Sequence, residues 1–244
     1  MLTALVAAAL LAPAWSPGLR AADAYADGRP GTVAFAVRTE KQVWGRDLDR
    51  PFQSASVVKA LLLVAYLRQP DVRSRSLRPA ERRLLSPMIR WSNNRHASAV
   101  VAGLGAARVD RVAHRAGMPR FRLAPWWGRS PITAREQSRF FLHLDALVPA
   151  RHRAFAMGLL RTVVHTQRWG IGEVVPRGWT AYFKGGWGSG RELVDHQVAL
   201  LTRGRERVSV AVLTTVTGGH AVGKATLRGV FRRLLRGLAR SKPA

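Results

Sequence analysis

The hydrophobic and polar positions of this chain follow a strand pattern near both ends and a helical pattern in the middle. Thr32–Val37 alternates with a period of two, and Gln42–Gly45 resumes the alternation after a charged turn. Strand character returns at 179–186, 193–201 and 207–216. The early and late strands most simply share one antiparallel sheet.

Helical periodicity fills the segment between these strands. The run 54–67 is helical by its length and its alanine and leucine content, and 78–164 is mostly helical around one loop. Thr133 is predicted as the N-cap after this loop, with Glu136 at the capping-box position. Residues 224–240 predict a closing helix, which we expect on the sheet rather than on a membrane surface. Its apolar stripe comprises Leu227, Val230, Phe231, Leu234, Leu235 and Leu238.

The predicted fold class is α+β, with an antiparallel sheet built from both ends of the chain and flanked by helices, plus an all-α middle lobe. We assign 29–53 and 170–241 to the sheet lobe and 54–169 to the helical lobe. A cleft between two such lobes is the expected place for chemistry.

The first 24 residues have the pattern of a signal peptide. An apolar core is followed by small residues that suit cleavage near Ala14 or Ala24. The alternatives are a short membrane anchor or a buried first helix, although the apolar stretch is too short to span a bilayer comfortably. The sequence therefore predicts an exported protein, extracellular or associated with the cell wall.

The charge is extreme for a chain of 244 residues. The formal net charge is +26, and only five of the 40 basic residues are lysines. Because the arginines are scattered instead of forming one stripe with interleaved aromatics, we expect no specific nucleic-acid partner. An anionic cell-envelope polymer stays open as a partner. The absence of cysteine excludes disulfides, thiol catalysis and cysteine-bound zinc.

One lysine stands in an otherwise apolar helix. Ser56 and Lys59 are three residues apart, and therefore on one helical face. A serine hydroxyl is a poor nucleophile unless a base removes its proton, and burial among Val57, Val58 and Leu62 would lower the pKa of the lysine. Ser56 and Lys59 are therefore candidates for nucleophile and base. The alternative is a helix-capping serine beside a lysine whose amine reaches water.

Two further short motifs carry polar groups. Ser92 and Asn94 lie in a polar break between helical segments, where helix capping is the simpler explanation. Lys184, Gly185 and Gly186 end a predicted strand, and glycines there allow another backbone to approach closely. The alternative for this third motif is a glycine-rich turn.

In this order, S-x-x-K, S-x-N and K-x-G resemble the motifs of class A β-lactamases and the D,D-peptidases called penicillin-binding proteins. The resemblance implies Ser56 as nucleophile and Lys59 as its base or proton shuttle. It implies that Ser92 passes a proton to the leaving nitrogen and that Lys184 stabilises the carboxylate region.

The resemblance also implies groups that bind the substrate. Asn94 would bind the acyl side chain's amide. Gly186 would let the substrate dock along the strand, and the backbone N–H of Trp187 would form an oxyanion hole with that of Ser56.

Three departures from the family pattern stand out. Gly185 replaces a Thr or Ser, so a hydroxyl for the substrate carboxylate is missing, and Asn93 replaces Asp. The glutamate that activates water in class A enzymes has no counterpart, since Asp110 is the only acidic residue between Asn94 and Thr133. We therefore expect acylation without fast deacylation. Arg168 or Arg191 is our candidate for binding a carboxylate in place of the hydroxyl.

Other kinds of site find little support. Asp195 and His196 are neighbours in a strand, where side chains point to opposite faces, so a histidine triad is not expected. No zinc spacing is present, and neither a metal nor a cofactor is expected. Trp126, Trp127 and Trp187 could line a cleft, but tryptophan is more often a core residue, so only Trp187 is favoured, by its place in the third motif.

The sequence thus predicts a monomeric serine hydrolase acting on β-lactams or D-alanyl peptides. Two alternatives remain open. One is a peptidoglycan D,D-peptidase, and the other is a non-catalytic cationic wall-binding protein on the same fold.

Overall fold

The computed structural model describes residues 15–189 and 192–240. Five strands form one antiparallel sheet in the order β2-β1-β7-β6-β5, and two short strands, β3 and β4, pair separately. The strands are β1 (Val33–Arg38), β2 (Val43–Arg46), β3 (Phe52–Gln53), β4 (Pro131–Ile132), β5 (Thr180–Ser189), β6 (Leu193–Arg203) and β7 (Glu206–Thr215). The predicted sharing of one sheet by early and late strands is confirmed, since β1 pairs with β7.

The described helices supply the flanking layers and the middle lobe. They are α1 (Leu19–Asp27), α2 (Lys59–Leu67), α3 (Pro79–Arg90), α4 (Asn94–Leu104), α5 (Ala106–Arg115), α6 (Ala134–Leu142), α7 (Leu144–Leu147), α8 (Ala150–Arg161) and α9 (His220–Leu234). The predicted α+β class is confirmed. None of the helices within 15–189 and 192–240 has the length and apolar character needed to cross a membrane.

Both faces of the sheet are covered, because alternate residues of each strand point to opposite sides. Ala34 and Ala36 of β1 join the core formed with the middle helices, whereas Phe35 and Val37 join the core under α1 and α9. The predicted apolar stripe of the closing helix is fully buried on this second side. Alternation in β1 thus produces a three-layer arrangement.

The boundaries between the two lobes are less distinct than a division at residue 54 implies. Helix α6 lies within the predicted helical lobe, yet it packs on β1, β6 and β7 of the sheet. Its start is as predicted, since Thr133 Oγ1 accepts from the backbone N–H of Glu136 at 3.2 Å. The domain division stays a prediction.

The predicted leader overlaps the described part of the chain. The apolar core of the leader lies outside the described residues, but α1 buries Ala22 and Ala26 and packs on α9. Cleavage near Ala14 would leave α1 whole, and cleavage near Ala24 would cut through it. The signal peptide stays a prediction, and α1 favours the earlier cleavage site.

Candidate active site

Ser56 is held at the start of the α2 segment by a tight turn. A 3₁₀ turn, Ala55–Val58, runs directly into α2, and the Ser56 carbonyl accepts the backbone N–H of Lys59. Ala55 has a φ of +43°, a conformation that L-residues rarely adopt and that clusters at functional sites. The turn therefore places the serine and the lysine on one side of the helix start, as their spacing predicts.

Lys59 is completely buried, and its amine is anchored by the second motif. Its Nζ donates to the Ser92 backbone carbonyl and to Asn94 Oδ1 at 2.7 Å, and it lies 3.2 Å from Ser92 Oγ. Burial lowers the pKa of Lys59 from 10.5 to about 7. A neutral amine has two N–H groups, enough for these two carbonyl-type oxygens, and it keeps a lone pair that can accept a proton.

Lys184 reaches the same hydroxyl from the sheet. Its Nζ donates to Ser92 Oγ at 3.0 Å and to the Gly185 carbonyl at 2.7 Å. Burial, and secondly the nearby Lys59, lower the pKa of Lys184 well below its usual value. Ser92 itself has a φ of +55°. The second motif is therefore more than a helix cap, although its neighbour Asn93 does cap α4 by accepting from His96 N.

Gly186 brings strand β5 against the serine turn. A Cβ at Gly186 would lie 2.8 Å from the backbone nitrogens of both Ser56 and Val57, which is closer than such atoms can approach. Only glycine therefore allows this contact between the sheet and the turn. The Ser56 N–H donates to no group among the residues that the structure describes. It is therefore available to a substrate oxygen.

A cleft of about 530 Å³ opens beside Ser56. Asn94, Trp187 and Gly188 line it together with the loop Pro125–Arg129. Among the residues described, none forms a hydrogen bond with the Ser56 hydroxyl. The nucleophile candidate thus faces the cleft with its hydroxyl unengaged.

The preference for a core position does not hold for Trp126, whereas Trp127 packs on the core and also lines the cleft. Trp126 is 75% exposed, and both residues line the cleft. The indole ring of Trp127 covers Lys59, with Nζ 4.9 Å from the ring centroid, and its Nε1 donates to Ser98 Oγ at 3.1 Å. Their place in a loop flanked by Pro125 and Gly128 was the sequence feature that could have revealed this exposure, because loops run over the surface.

The acidic side chains of Asp110 and Glu136 stabilise local structure. Asp110 Oδ1 accepts the backbone N–H of Leu123 at 2.7 Å, and Glu136 completes the cap of α6. Neither side chain lines the cleft beside Ser56. The apolar face of Trp127, rather than a carboxylate, adjoins Lys59.

Two arginines were candidates to bind a carboxylate in place of the missing hydroxyl. Arg168 does not line the cleft; it donates to the Arg161 carbonyl at 3.0 Å and lies over the ring of Phe183. Arg191 falls outside the described residues. A side chain at Gly185 would meet Trp169, whose ring atoms lie 3.3 Å from a Cβ built there. The indole ring of Trp169 therefore occupies the space that a Thr or Ser side chain at position 185 would need.

The prediction that Asp195 and His196 point apart agrees with the structure. His196 lies between the Gln53 carbonyl and the backbone N–H of Thr214, and burial lowers its pKa to about 4. Asp195 instead contacts His220 at the start of α9, and burial raises its pKa to about 7.

No group of His, Asp or Glu side chains suited to a metal ion occurs in the part of the chain that the structure describes.

The model of the beta-lactamase enzyme family matches residues 73–235, about two thirds of this chain. The chain belongs to this beta-lactamase family. The matched residues include Ser92, Asn94 and Lys184, whereas Ser56 and Lys59 precede them. A comparison with curated proteins found no match.

Solved β-lactamases share the fold at low sequence identity. The β-lactamase of Sphaerobacter thermophilus DSM 20745 is 21% identical, with a TM-score of 0.77, over 93% of this chain and 98% of that one. The class A β-lactamase of the last common ancestor of Gram-negative bacteria is 19% identical, with a TM-score of 0.76, over 89% and 97%. The β-lactamase of Desulfarculus baarsii DSM 2075 is 21% identical, with a TM-score of 0.69, over 87% and 95%. Family and fold together support a serine hydrolase of the β-lactamase type.

Proposed function

We propose that this β-lactamase family member is an exported serine acyl-transfer hydrolase whose Ser56 is acylated by β-lactams or related amides and esters. The observation that carries the proposal is the convergence of Lys59, Ser92 and Lys184 from three separate segments around one buried hydroxyl, with Ser56 three residues before Lys59 and in the wall of the cleft. Both amines are fully buried, and the loss of their hydration lowers the stability of the fold. A purely structural role does not explain that loss.

The first half of the reaction is proposed to use these groups. Lys59 in its neutral form accepts the proton of Ser56 as the hydroxyl oxygen attacks the substrate carbonyl. The N–H groups of Ser56 and Trp187 stabilise the oxyanion, a contribution of about 3 kcal/mol per donor in comparable sites. Ser92, hydrogen-bonded to both amines, passes a proton to the leaving nitrogen as the carbonyl–nitrogen bond breaks.

The second half of the reaction is proposed to be slow. Hydrolysis of the ester needs a water molecule activated by a base beside Ser56, and Trp127 presents an apolar face to Lys59 at that place. We therefore expect the acyl-enzyme to persist. Asn94, which contacts Lys59 and lines the cleft, would hold the amide of the acyl group.

Intact-mass measurement after incubation with benzylpenicillin tests this proposal. A stable mass increase equal to one penicillin, absent in Ser56→Ala, is the expected result, and Ser74→Ala, at an exposed serine that does not line the cleft, serves as the control. Absence of any adduct together with absence of turnover would refute the serine hydrolase proposal. Rapid multiple turnover of a chromogenic cephalosporin would refute slow deacylation alone.

A peptidoglycan D,D-peptidase is the second candidate. The lack of a described carboxylate beside Ser56 favours it, because the acyl-enzyme is then not equipped for rapid β-lactam release. Release of D-alanine from an acyl-D-Ala-D-Ala peptide would distinguish it from a β-lactamase. Export, monomeric state and affinity for anionic wall polymer are part of the proposal, and they are tested by fractionating cells and by sizing the purified protein.

A further inference from the structure

The residues that line the cleft beside Ser56 indicate which part of the substrate it holds. The leaving group must stand next to Ser92, which supplies its proton, and neither Ser92 nor Lys184 is part of the cleft wall. Asn94, which the proposed function assigns to the amide of the acyl group, does line it. The group that stays bound to Ser56 after acylation therefore occupies the cleft, and this step of the reasoning rests on the proposed function.

Arg129 is the charged side chain among the described residues that line this cleft. It is exposed, and within 15–189 and 192–240 its guanidinium forms neither an ion pair nor a hydrogen bond. It lies over the indole ring of Trp126, 5.5 Å from the ring centroid. Stacking on a ring leaves the edge of the guanidinium and its donors free for a planar anion.

The loop that carries Arg129 is fixed to the nucleophile segment. Ser54, two residues before Ser56, donates its backbone N–H to the Ser130 carbonyl at 2.8 Å and its hydroxyl to the Trp127 carbonyl at 3.2 Å. Ser130 is completely buried, and its hydroxyl also donates to Trp127, at 2.8 Å. Arg129 is therefore held at a defined distance from the reacting serine.

The cleft continues beyond Arg129. A second cavity of about 540 Å³ shares Gln53, Arg129 and Val194 with the first. Glu192 also lines this second cavity, and it forms no ion pair with Arg129 among the described residues. An acyl group can therefore extend from Ser56 past the guanidinium.

We propose that Arg129 binds a carboxylate on the acyl group of the substrate, so that the enzyme prefers extended, anionic acyl donors. A guanidinium offers two parallel N–H groups to a carboxylate, the strongest hydrogen-bonding geometry available between side chains. This site is distinct from the region of Lys184, which the resemblance to β-lactamases assigns to the carboxylate region of the substrate. Selectivity is thereby assigned to the acyl portion.

Two penicillins that differ in one group test this assignment. One has an adipoyl side chain with a free carboxylate, and the other is its side-chain amide. Both retain the ring carboxylate, so its effect cancels. We expect the acid to acylate the protein about tenfold faster than the amide, because a charge-assisted pair contributes about that factor.

Arg129→Gln should remove the preference, and Arg111→Gln should keep it. Arg111 is an exposed arginine of α5 away from the cleft, so its substitution makes the same change in net charge. An unchanged preference in Arg129→Gln, or an equal loss in Arg111→Gln, would overturn the proposal.

A binding measurement separates this inference from the proposed function. With Ser56→Ala, which cannot be acylated, the dissociation constants of the acid and the amide are measured by tryptophan fluorescence. If the wild-type protein forms no adduct, the proposed function fails, and the binding preference still decides the role of Arg129. Tighter binding of the acid that disappears on adding Arg129→Gln supports the role, and equal binding of acid and amide refutes it.

Discussion

Lys59 and Lys184 direct their amino groups at a single oxygen, the hydroxyl of Ser92, at 3.2 and 3.0 Å. One lysine comes from a helix start and the other from a strand of the sheet, so the hydroxyl joins the two lobes. Two cations at this separation in a buried place repel each other, and the repulsion, like burial, favours loss of a proton. The pair therefore supplies neutral amine near neutral pH.

Replacing Lys59 by Met should abolish acylation while sparing the fold. The methionine fills a similar volume but leaves the Ser92 carbonyl without its donor, so the free energy of unfolding should fall by only about 1–3 kcal/mol. The acylation rate should fall by about 10²–10⁴-fold, the usual contribution of a general base. Lys41→Met, an exposed lysine in the β1–β2 turn, is the matched control and should react as the wild type does. A Lys59→Met protein that is acylated at the wild-type rate would remove Lys59 from the mechanism.

The rate of acylation should rise with pH through a midpoint near 7. Lys59 must be neutral to accept the proton of Ser56, and its pKa is lowered to about 7. Below that pH the amine is protonated and the rate should fall about tenfold per pH unit. Adduct formation measured from pH 5 to 9 gives this profile. A rate that is flat across this range would show that Lys59 does not act as the base.

Stability should increase with pH between about 7 and 10. The unfolded chain holds a proton on Lys59 up to pH 10.5, whereas the folded protein releases it near 7. The unfolded state therefore binds more protons in this window, and the free energy of unfolding rises with pH by about 1 kcal/mol per unit. Urea unfolding at several pH values measures the slope, and Lys59→Met should lower it. A slope identical in the variant would contradict the shifted pKa.

Gly186→Ala should damage both stability and acylation. The added methyl group meets the backbone nitrogens of Ser56 and Val57 at 2.8 Å, and backbone cannot give way as a flexible side chain can. The expected loss is about 1–3 kcal/mol of stability together with most of the acylation rate. Gly158→Ala in α8 is the control, since a Cβ there meets nothing within 4 Å and Gly158 does not line the cleft. Equal effects of the two substitutions would mean that the close approach at Gly186 is unimportant.

Trp127→Ala should shorten the life of the acyl-enzyme and raise the midpoint of the pH profile. Removing the indole exposes Lys59 to water, which stabilises its charged form and raises its pKa. Water also gains access to the ester. Decay of the mass adduct and the pH dependence of acylation measure the two effects. Trp44→Ala, which removes a partly buried indole of β2 that does not line the cleft, should change neither quantity. Unchanged adduct decay in Trp127→Ala would require another cause of slow deacylation.

Much of the secondary structure could be predicted from the hydrophobic pattern, because that pattern depends on residues that are close together in the chain. The alternation in β1 and the apolar stripe of α9 record which side of each element is buried, and both appear as expected. The spacing of Ser56 and Lys59 likewise fixes their common helical face, whatever the rest of the chain does. Each of these conclusions follows from residues within about two turns or one strand of each other.

The sequence by itself determined the five strands of the sheet and the closing helix, the sharing of one sheet by the two ends of the chain, and the chemical groups that its three motifs offer. Only the tertiary structure decided what surrounds them: that Ser92 meets both amines, that Trp127 covers Lys59, and that Arg129 rather than Arg168 lines the cleft. These contacts join residues far apart in the chain. Their formation depends on how helices and sheet pack against each other, and periodicity along a single element carries no information about that packing.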